Sequence, residues 1–305
     1  MKILLLGRDG QVGWELGRAL APLGELLAWG RHEADFLDPE SLRARVRGLR
    51  PDVIVNAAAY TAVDRAEGDE AAARLVNAIA PGVLAEEAHA CGAWLVHYST
   101  DYVFDGSKEG AWTELDATAP LSAYGRTKCE GEERIRASGA RHLILRTSWV
   151  FGARGANFAR TILRLAQERE QLNVVDDQVG APTGAALLAD ATVLALYRIA
   201  LAGPDAGAFA GTYHLAAGGS TTWHAYARHV LARALAHGVP LKAGPEQVQP
   251  IASSALAAPA ARPANSLLDC SKFSSRFGLA LPDWRHHVDR LVAELAANDN
   301  LQGQA

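Results

Sequence analysis

Short apolar segments alternate with amphipathic segments through the first half of the chain. Five segments are rich in Val, Ile and Leu and apolar on both faces, which predicts buried strands at 2–6, 25–29, 52–56, 94–99 and 142–147. Helical periodicity lies between them, at 11–21, 39–48, 70–90 and 123–137. Strands of this kind are typical of a parallel sheet with helices on both faces, and the right-handed crossover rule makes the predicted fold a doubly wound α/β sheet.

The alternation loosens after residue 147. Helical patterns at 157–169, 186–200, 222–236 and 284–297 are separated by longer loops, and the Ala- and Pro-rich stretch 240–263 has no regular pattern. The polar end, 298–305, predicts a frayed terminus. We therefore expect a first domain over 1–148 and a smaller second domain over 149–305, partly interleaved with the first.

Composition and charge exclude several classes of protein. Of 305 residues, 49% are apolar and 21% are charged, which is ordinary for a globular protein, and the net charge of −4 indicates neither a nucleic acid nor a membrane partner. The longest apolar stretch, 185–202, is interrupted by Asp190 and Arg198, so it predicts an amphipathic helix instead of a membrane span. The three scattered cysteines are typical of reduced thiols, and we expect a cytoplasmic protein.

A glycine-rich loop follows the first predicted strand and opens a helix. Gly7, Gly10 and Gly13 have the spacing G-x-x-G-x-x-G. Glycine at such a turn lets the backbone approach a pyrophosphate, whose charge is then stabilised at the helix N-terminus. The loop predicts a dinucleotide site.

The second predicted strand indicates which dinucleotide the site takes. A carboxylate at its end would accept hydrogen bonds from the ribose of NAD, but the strand ends Trp29-Gly30-Arg31-His32. Arg31 is suited to pair with the 2′-phosphate of NADPH, and a solvated surface arginine is the alternative. The sequence leaves both NADPH and NADH open.

A tyrosine and a lysine lie four residues apart on the helix predicted at 123–137. Tyr124 and Lys128 project from one helix face, where an ammonium group would lower the pKa of the phenol. Thr100 stands at the carboxyl end of the fourth strand, the edge at which open α/β sheets bind ligands. These three residues are the candidate catalytic group.

Together these residues resemble the extended short-chain dehydrogenase/reductases that act on nucleotide sugars. Six further blocks are similar to the dTDP-4-dehydrorhamnose reductase family within that superfamily: 10–16, 56–64, 99–104, 146–150, 177–183 and 262–266. The resemblance runs from residue 2 to about 297. It implies a Rossmann-like domain with a smaller substrate domain, and NAD(P)H-dependent reduction of the C4 keto group of dTDP-4-dehydro-β-L-rhamnose to dTDP-β-L-rhamnose, for surface polysaccharide or lipopolysaccharide synthesis.

The resemblance also implies roles for individual residues. Tyr124 would be the general acid, Lys128 its electrostatic partner and ribose anchor, and Thr100 a hydrogen-bond partner of the sugar carbonyl. Asp101, Trp149 and Arg262 would contact the dTDP-sugar, Arg262 through its diphosphate. The positions that would line the cofactor, beside the glycines and Arg31, are Gln11, Val12, Asp35, Phe36, Ala57, Ala58, Ala59, Tyr60 and Thr61. For Trp149, core packing is the alternative.

One departure from the family pattern concerns a metal. Family members hold a divalent cation at a homodimer contact through glutamates near three positions; Glu15 and Glu294 match, but the third position is Ala186. A hard cation prefers several oxygen ligands, so Mg²⁺ at such a contact is weakly indicated and no metal is expected in the catalytic site. A homodimer is the implied assembly.

Three other functions stay open. A reductase of another dTDP-4-keto-6-deoxysugar would have the same catalytic residues and a differently shaped pocket. A sugar dehydratase would carry an acid after Thr-Asp, where this chain has Tyr102. A non-catalytic binding module, like the related regulatory subunit of methionine adenosyltransferase, would not need Thr100, Tyr124 and Lys128 together.

Overall fold

The computed structural model describes residues 1–256 and 258–302, with side chains as far as 297. Its strands are β1 Lys2–Leu6, β2 Glu25–Trp29, β3 Val53–Asn56, β4 Trp94–Thr100, β5 Arg141–Thr147, β6 Val150–Phe151, β7 Leu172–Val175, β8 Val179–Gly180, β9 Thr183–Gly184, β10 Gly211–His214, β11 Thr221–Thr222 and β12 Val248–Ile251. Its α-helices are α1 Gln11–Leu20, α2 Pro39–Leu49, α3 Val63–Ala66, α4 Glu70–Arg74, α5 Ala80–Cys91, α6 Ala123–Ala137, α7 Phe158–Glu168, α8 Ala185–Leu201, α9 Trp223–Ala236, α10 Ser271–Phe277 and α11 Trp284–Gln302.

The main sheet has six parallel strands in the order β10-β5-β4-β3-β1-β2. The chain passes from β1 to β2 on one side and then returns to β3 on the other, so the strand order reverses between β1 and β3. The predicted doubly wound parallel sheet is confirmed. In such sheets the crevice beyond the carboxyl ends of the strands, at the point of reversal, is where ligands bind.

Alternate side chains of each strand enter two separate cores. Ile3 and Leu5 of β1 face a layer that contains α1 and α8, whereas Leu4 and Leu6 face a layer that contains α2 and α5; all four are fully buried. Side chains on both faces of β1 must therefore be apolar. This explains the unbroken apolar segment in the sequence.

The predicted helix over 70–90 is interrupted. Residues Leu75–Ile79 form a π-helical segment between α4 and α5. Pro81 lacks the N–H that an α-helix would donate to the carbonyl of Asn77, and the wider turn leaves the Asn77 side chain bonded to both backbone polar groups of Tyr60, at 2.8 and 3.1 Å. The interruption thus holds the loop after β3 in place.

The second half of the chain builds its own core and also completes the first. Helices α7, α9 and α11 pack together, with β12 paired to β7. Strand β10 joins the main sheet beside β5, and α8 covers one face of that sheet. The two halves are interleaved, and the boundary between 148 and 149 stays a prediction.

Three details differ from the sequence prediction. Strand β10 was missed because it is four residues long and begins Gly-Thr. The stretch 240–263 is not wholly irregular, since β12 lies within it. Helix α11 extends past 297 to Gln302, while 303–305, part of the predicted frayed end, lie outside the described residues. Among the described helices, none is long and apolar enough to cross a membrane.

A buried ion pair connects α6 to the sheet. Glu132 accepts two hydrogen bonds from Arg146 of β5, at 2.8 and 2.6 Å, and one from Arg136 at 3.0 Å. Burial opposes the ionised carboxylate, but the bonds from Arg146 outweigh it and lower the pKa of Glu132. This pair anchors the helix that carries Tyr124 and Lys128.

We expect Glu132→Gln to lower the free energy of unfolding by about 3 kcal/mol, because it leaves the Arg146 charge buried without its counter-ion. Glu130→Gln is the matched control, since Glu130 pairs with Arg74 at the surface, and it should cost less than about 1 kcal/mol. Urea unfolding at pH 7 measures both. The difference between wild type and Glu132→Gln should shrink as the pH falls through the lowered pKa of Glu132, because the wild-type carboxylate is then protonated. Equal costs for the two variants would contradict the anchoring role.

Candidate active site

A cleft of about 790 Å³ opens at the carboxyl ends of the strands, where the strand order reverses. Most of the residues predicted for the site line it: Gly7, Gly10, Gln11, Val12, Arg31, Asp35, Phe36, Ala57, Ala58, Ala59, Tyr60, Thr61, Thr100, Asp101, Tyr124, Lys128 and Trp149. Two predicted residues, Gly13 and Arg262, are not part of its lining. The sheet therefore brings together positions spread over more than a hundred residues of sequence.

The glycine loop leaves no room for side chains at two positions. Gly7 has a φ of +83°, and a Cβ there would lie 2.6 Å from the backbone nitrogen of Ala58. A Cβ on Gly13 would lie 1.9 Å from the carbonyl oxygen of Gly7. Gly13 thus serves the site by letting α1 approach the loop, and not by lining the cleft.

The start of α1 has unused backbone donors. Gly10 is the N-cap and has no side chain to accept from the first turn, so the amides of that turn are available to an anion. A dinucleotide pyrophosphate fits this cradle, because it needs a close backbone approach and several N–H donors.

One part of the cleft, beyond the end of β2, is lined by Arg31, Asp35 and Phe36. Arg31 is exposed. A neighbouring carboxylate was missed by the sequence prediction: Glu33 accepts from the Gly30 amide at 3.0 Å and forms a 2.9 Å ion pair with Arg8. The signal was weak because Glu33 lies four residues beyond the end of β2, within a turn.

Thr100 is the last residue of β4, and its hydroxyl lies in a local hydrogen-bond network. Its Oγ1 accepts from the Tyr102 amide at 3.1 Å and donates to Asp101 Oδ1 at 3.0 Å. Asp101 is buried, and its Oδ2 has no hydrogen-bond partner among the described residues. Burial raises the pKa of Asp101 to about 6, although the nearby hydroxyl groups of Ser266 and Thr100 act in the opposite direction. This carboxyl is a free acceptor at the floor of the cleft.

Tyr124 and Lys128 lie in the first turns of α6. Ser122 caps the helix by accepting from the Gly125 amide at 3.2 Å, and this fixes where the helix begins. Burial raises the pKa of Tyr124 to about 12, partly offset by the Thr100 hydroxyl. Tyr124 is therefore protonated at neutral pH, as a proton donor must be.

The lysine does not act on this phenol as the sequence predicted. Lys128 Nζ donates to the Tyr98 carbonyl at 2.6 Å and lies 3.2 Å from His97 Nε2, both on β4. Its own pKa is lowered by burial to about 8. The expected lowering of the Tyr124 pKa is wrong for this structure, because desolvation of the phenol outweighs any effect of the ammonium group.

Trp149 lines the cleft and has an unusual backbone conformation. Its φ is +47°, rare for a residue other than glycine, and its ring stacks on Trp223 with centroids 3.6 Å apart. The ring also packs on Gly180, where a Cβ would lie 2.5 Å from Trp149 Cε2. The ring thus contacts both residues and is partly exposed to the cleft. Simple core packing does not account for a strained, cleft-lining tryptophan.

The aromatic residues Tyr98, Tyr102 and Trp223 line the cleft but were not predicted from the sequence. Trp223 begins α9 and donates through Nε1 to Gln178 at 3.1 Å. Tyr102 packs edge-on against Tyr124, with centroids 5.7 Å apart. Trp223 comes from a distant segment with no motif around it, so only the folded chain shows that it reaches the site. Tyr102 lies inside the block 99–104 and was noted only for lacking a carboxylate.

Arg262 is held at one side of the site. Its Nη2 forms a 2.7 Å ion pair with Asp64 Oδ2, and its Nη1 donates to the carbonyl of Ala260. Asp64 follows Val63, which lines the cleft. A diphosphate would have to compete with Asp64 for this guanidinium group. The contact of Arg262 with a diphosphate stays a prediction.

The described residues contain no group of three or more His, Cys, Asp or Glu side chains that could hold a metal. Glu15 instead pairs with Arg18 at 3.4 Å, and Glu294 is exposed. The chain by itself gives the weakly indicated Mg²⁺ no support.

Comparison with known proteins identifies the family of this chain. A model described as "RmlD substrate binding domain" matches residues 1–297. The dTDP-4-dehydrorhamnose reductase of Escherichia coli is 52% identical over 299 residues, which covers 97% of this chain and 98% of that protein. The chain belongs to the dTDP-4-dehydrorhamnose reductase family.

Solved structures of the family share the whole fold. The dTDP-4-dehydrorhamnose reductase of Clostridium acetobutylicum has a TM-score of 0.85 at 33% identity, covering 97% of this chain and 99% of its own. That of Bacillus anthracis, solved in complex with NADP, has a TM-score of 0.85 at 32% identity and covers 96% and 100%. The family assignment thus extends over both halves of the chain.

The contacts of the glycine loop lead to a prediction. Gly13→Ala should weaken NADPH binding by at least about tenfold, since the new methyl group would displace the Gly7 carbonyl and with it the loop. Gly17→Ala is the matched control, because it lies on the same helix with nothing within 4 Å of its Cβ position, and it should bind NADPH normally and stabilise α1 by about 0.5–1 kcal/mol. Fluorescence titration of NADPH and thermal unfolding of both variants measure these effects. Normal binding by a folded Gly13→Ala protein would contradict the proposed cradle.

Proposed function

We propose that this chain reduces the C4 keto group of dTDP-4-dehydro-β-L-rhamnose to dTDP-β-L-rhamnose, with a nicotinamide cofactor. The observation that carries the proposal is the convergence of Thr100, Tyr124 and Lys128 in one cleft with the glycine loop. The family relationship supplies the substrate, since the relatives of highest identity are named for this reaction. The product is a sugar donor for polysaccharide synthesis.

The cofactor would lie along the cleft from Arg31 to Tyr124. The first turn of α1 and the glycine loop would hold its pyrophosphate, Phe36 and Asp35 its adenosine, and the segment 57–61 the middle of the molecule. Lys128 would turn from the Tyr98 carbonyl to the hydroxyl groups of the nicotinamide ribose. The bound cofactor supplies the hydride that C4 of the sugar receives.

The chain's own residues manage the charge that develops on the C4 oxygen. Tyr124 donates its phenolic proton to that oxygen, as its raised pKa keeps the proton in place until the carbonyl becomes basic. Thr100 holds the same oxygen through its hydroxyl and fixes the angle of attack. Once Lys128 has turned from the Tyr98 carbonyl to the nicotinamide ribose, its ammonium group, one helical turn from Tyr124, would stabilise the phenolate that remains.

The other end of the substrate would meet Asp101, Trp149 and Arg262. The unpartnered Oδ2 of Asp101 is suited to accept from a sugar hydroxyl, which would remove the cost of leaving a buried acceptor unpaired. The part of the Trp149 indole that is exposed in the cleft would contact the sugar ring. Arg262 would reach the diphosphate by exchanging its bond to Asp64 for one to a phosphate oxygen.

The alternatives differ in what they require of the site. A dehydratase needs a base beside Thr100 and Asp101, and Tyr102 has a pKa raised by burial, so it is a poor base. A purely regulatory module has no use for the assembled Thr100, Tyr124 and Lys128. Reduction of a different dTDP-4-keto-6-deoxysugar uses the same groups, and a panel of such substrates, compared by kcat/KM, distinguishes it.

We also propose a cytoplasmic homodimer. The described cysteines are all free thiols, which suits a reducing compartment. Exposed side chains on the adjoining helices α1 and α8, among them Trp14, Leu194 and Tyr197, offer an apolar face for association.

Removing the phenolic hydroxyl tests the mechanism. Tyr124→Phe should lower kcat by at least about 10²-fold with little change in the NADPH dissociation constant, because the glycine loop and ribose contacts remain. Lys128→Met should impair both quantities, and Thr100→Val should lower kcat by about tenfold. The assay is NADPH oxidation with the keto-sugar supplied, alongside cofactor titration. Near-normal turnover by Tyr124→Phe would assign the proton to another group.

Cofactor preference rests on Arg31. We expect the wild type to prefer NADPH or to use both cofactors, and Arg31→Ala to lose several-fold in kcat/KM for NADPH but not for NADH, since an exposed ion pair contributes about 1 kcal/mol. Arg50→Ala is the control, because Arg50 is an exposed arginine at the C-terminal end of α2 and does not line the cleft. An unchanged ratio of the two kcat/KM values in Arg31→Ala would remove Arg31 from the site.

A further inference from the structure

A line of buried polar side chains runs under the active site from β3 to α6. The Ala58 amide donates to Asn56 Oδ1 at 3.1 Å, Asn56 Nδ2 lies 3.0 Å from His97 Nδ1, and His97 Nε2 lies 3.2 Å from Lys128 Nζ. Asn56, His97 and Lys128 are each no more than 1% exposed. These contacts are therefore shielded from bulk water.

Hydrogen-bond accounting leaves one consistent assignment along this line. The Ala58 N–H can only donate, so it fixes the oxygen of the Asn56 amide and turns the NH₂ group toward His97. His97 Nδ1 must then accept, and in a neutral imidazole the proton is on Nε2. That N–H points at Lys128, and an ammonium group has no lone pair with which to accept it.

We propose that Asn56 and His97 are positioning residues for the reduction, which present a fixed N–H donor to Lys128 and so favour the neutral form of its amine. The neutral amine accepts from His97 Nε2–H and donates to the Tyr98 carbonyl, which satisfies every member of the line. A lysine whose neutral form is stabilised also gives up a proton more readily. This suits the chemistry of the proposed function, on which this inference rests. After Tyr124 has given up its proton, the Lys128 ammonium can return one to the phenolate, and the amine left behind is stabilised by His97.

The charges around Lys128 do not offset this arrangement. Glu132, one turn along α6, favours the ammonium form, but its oxygens are bound to Arg146 of β5 and to Arg136. Tyr124 on α6 is neutral at pH 7, and β4 contributes only His97 and the Tyr98 carbonyl. Burial, together with the nearby Lys128, lowers the pKa of His97 well below its usual value, so the imidazole is neutral. The pKa of Lys128, lowered to about 8, agrees with the geometry.

The tautomer of His97 is measurable on the wild-type protein without any assay of activity. In protein labelled with ¹⁵N-histidine, the His97 signal is identified by its loss in His97→Phe, and its two nitrogen shifts distinguish Nε2–H from Nδ1–H. We expect the Nε2–H tautomer, uncharged from pH 6 to 9. An Nδ1–H tautomer or a charged ring would overturn the proposal, whatever the enzyme's substrate is.

A reversal of the line tests its effect on the reaction. Asn56→Asp offers only acceptors, so His97 should become Nδ1–H and present Nε2 as an acceptor to the Lys128 ammonium. The alkaline limb of kcat/KM for NADPH, which reports the free enzyme, should then move up by about one pH unit or more from its position in the wild type. A limb that stays in place, with the tautomer reversed, would disprove the influence of His97 on Lys128.

The new carboxylate also acts on Lys128 through its charge, and a double-mutant cycle separates the two effects. In a His97→Phe background the line is broken, so Asn56→Asp should move the limb by less than half as much as it does in the wild type. An equal shift in both backgrounds would attribute the effect to charge alone and reject the tautomer. A wild type that shows the Nε2–H tautomer but reduces no dTDP-keto-sugar would instead contradict the proposed function.

Discussion

Parallel pairing of β1 with both β2 and β3 is the constraint on which the site depends. Because the chain leaves β1 toward one edge and returns on the other side, two successive crossovers diverge and leave a crevice between them. The glycine loop follows β1 at that crevice, and the segment 57–61 follows β3 beside it. Strands β4, β5 and β10, and α6 with its tyrosine and lysine, are placed relative to this gap by adding one parallel strand after another.

The tight contact between loop and strand makes the crevice narrow and exact in shape. Gly7 touches the backbone of Ala58, and Gly13 touches Gly7, so α1, β1 and β3 approach as closely as backbone atoms allow. Side-chain volume at either glycine would separate these elements. The Ala58 amide, whose nitrogen lies beside Gly7, also donates to Asn56, where the buried line to Lys128 begins.

Burial has opposite effects on the two neighbouring residues of α6. It disfavours the phenolate of Tyr124 and the ammonium of Lys128, so the acid is kept protonated while the lysine is made less basic. The buried pair of Glu132 and Arg146 holds this helix against β5 and keeps the Glu132 carboxylate paired. Position, more than the identity of the two residues, sets how they ionise.

Sequence alone determined the class of fold, the five long strands and most helices, because their periodicity reflects burial on two faces of one sheet. It also determined the glycine loop and the Thr100, Tyr124 and Lys128 group, whose spacing is local or marked by a motif. Only the tertiary structure decided that β10 completes the sheet, that Trp223 stacks on Trp149, that Arg262 is held by Asp64, and that Lys128 faces His97 instead of Tyr124. Each of these depends on contacts between residues far apart in the chain, and on desolvation, which no short segment of sequence contains.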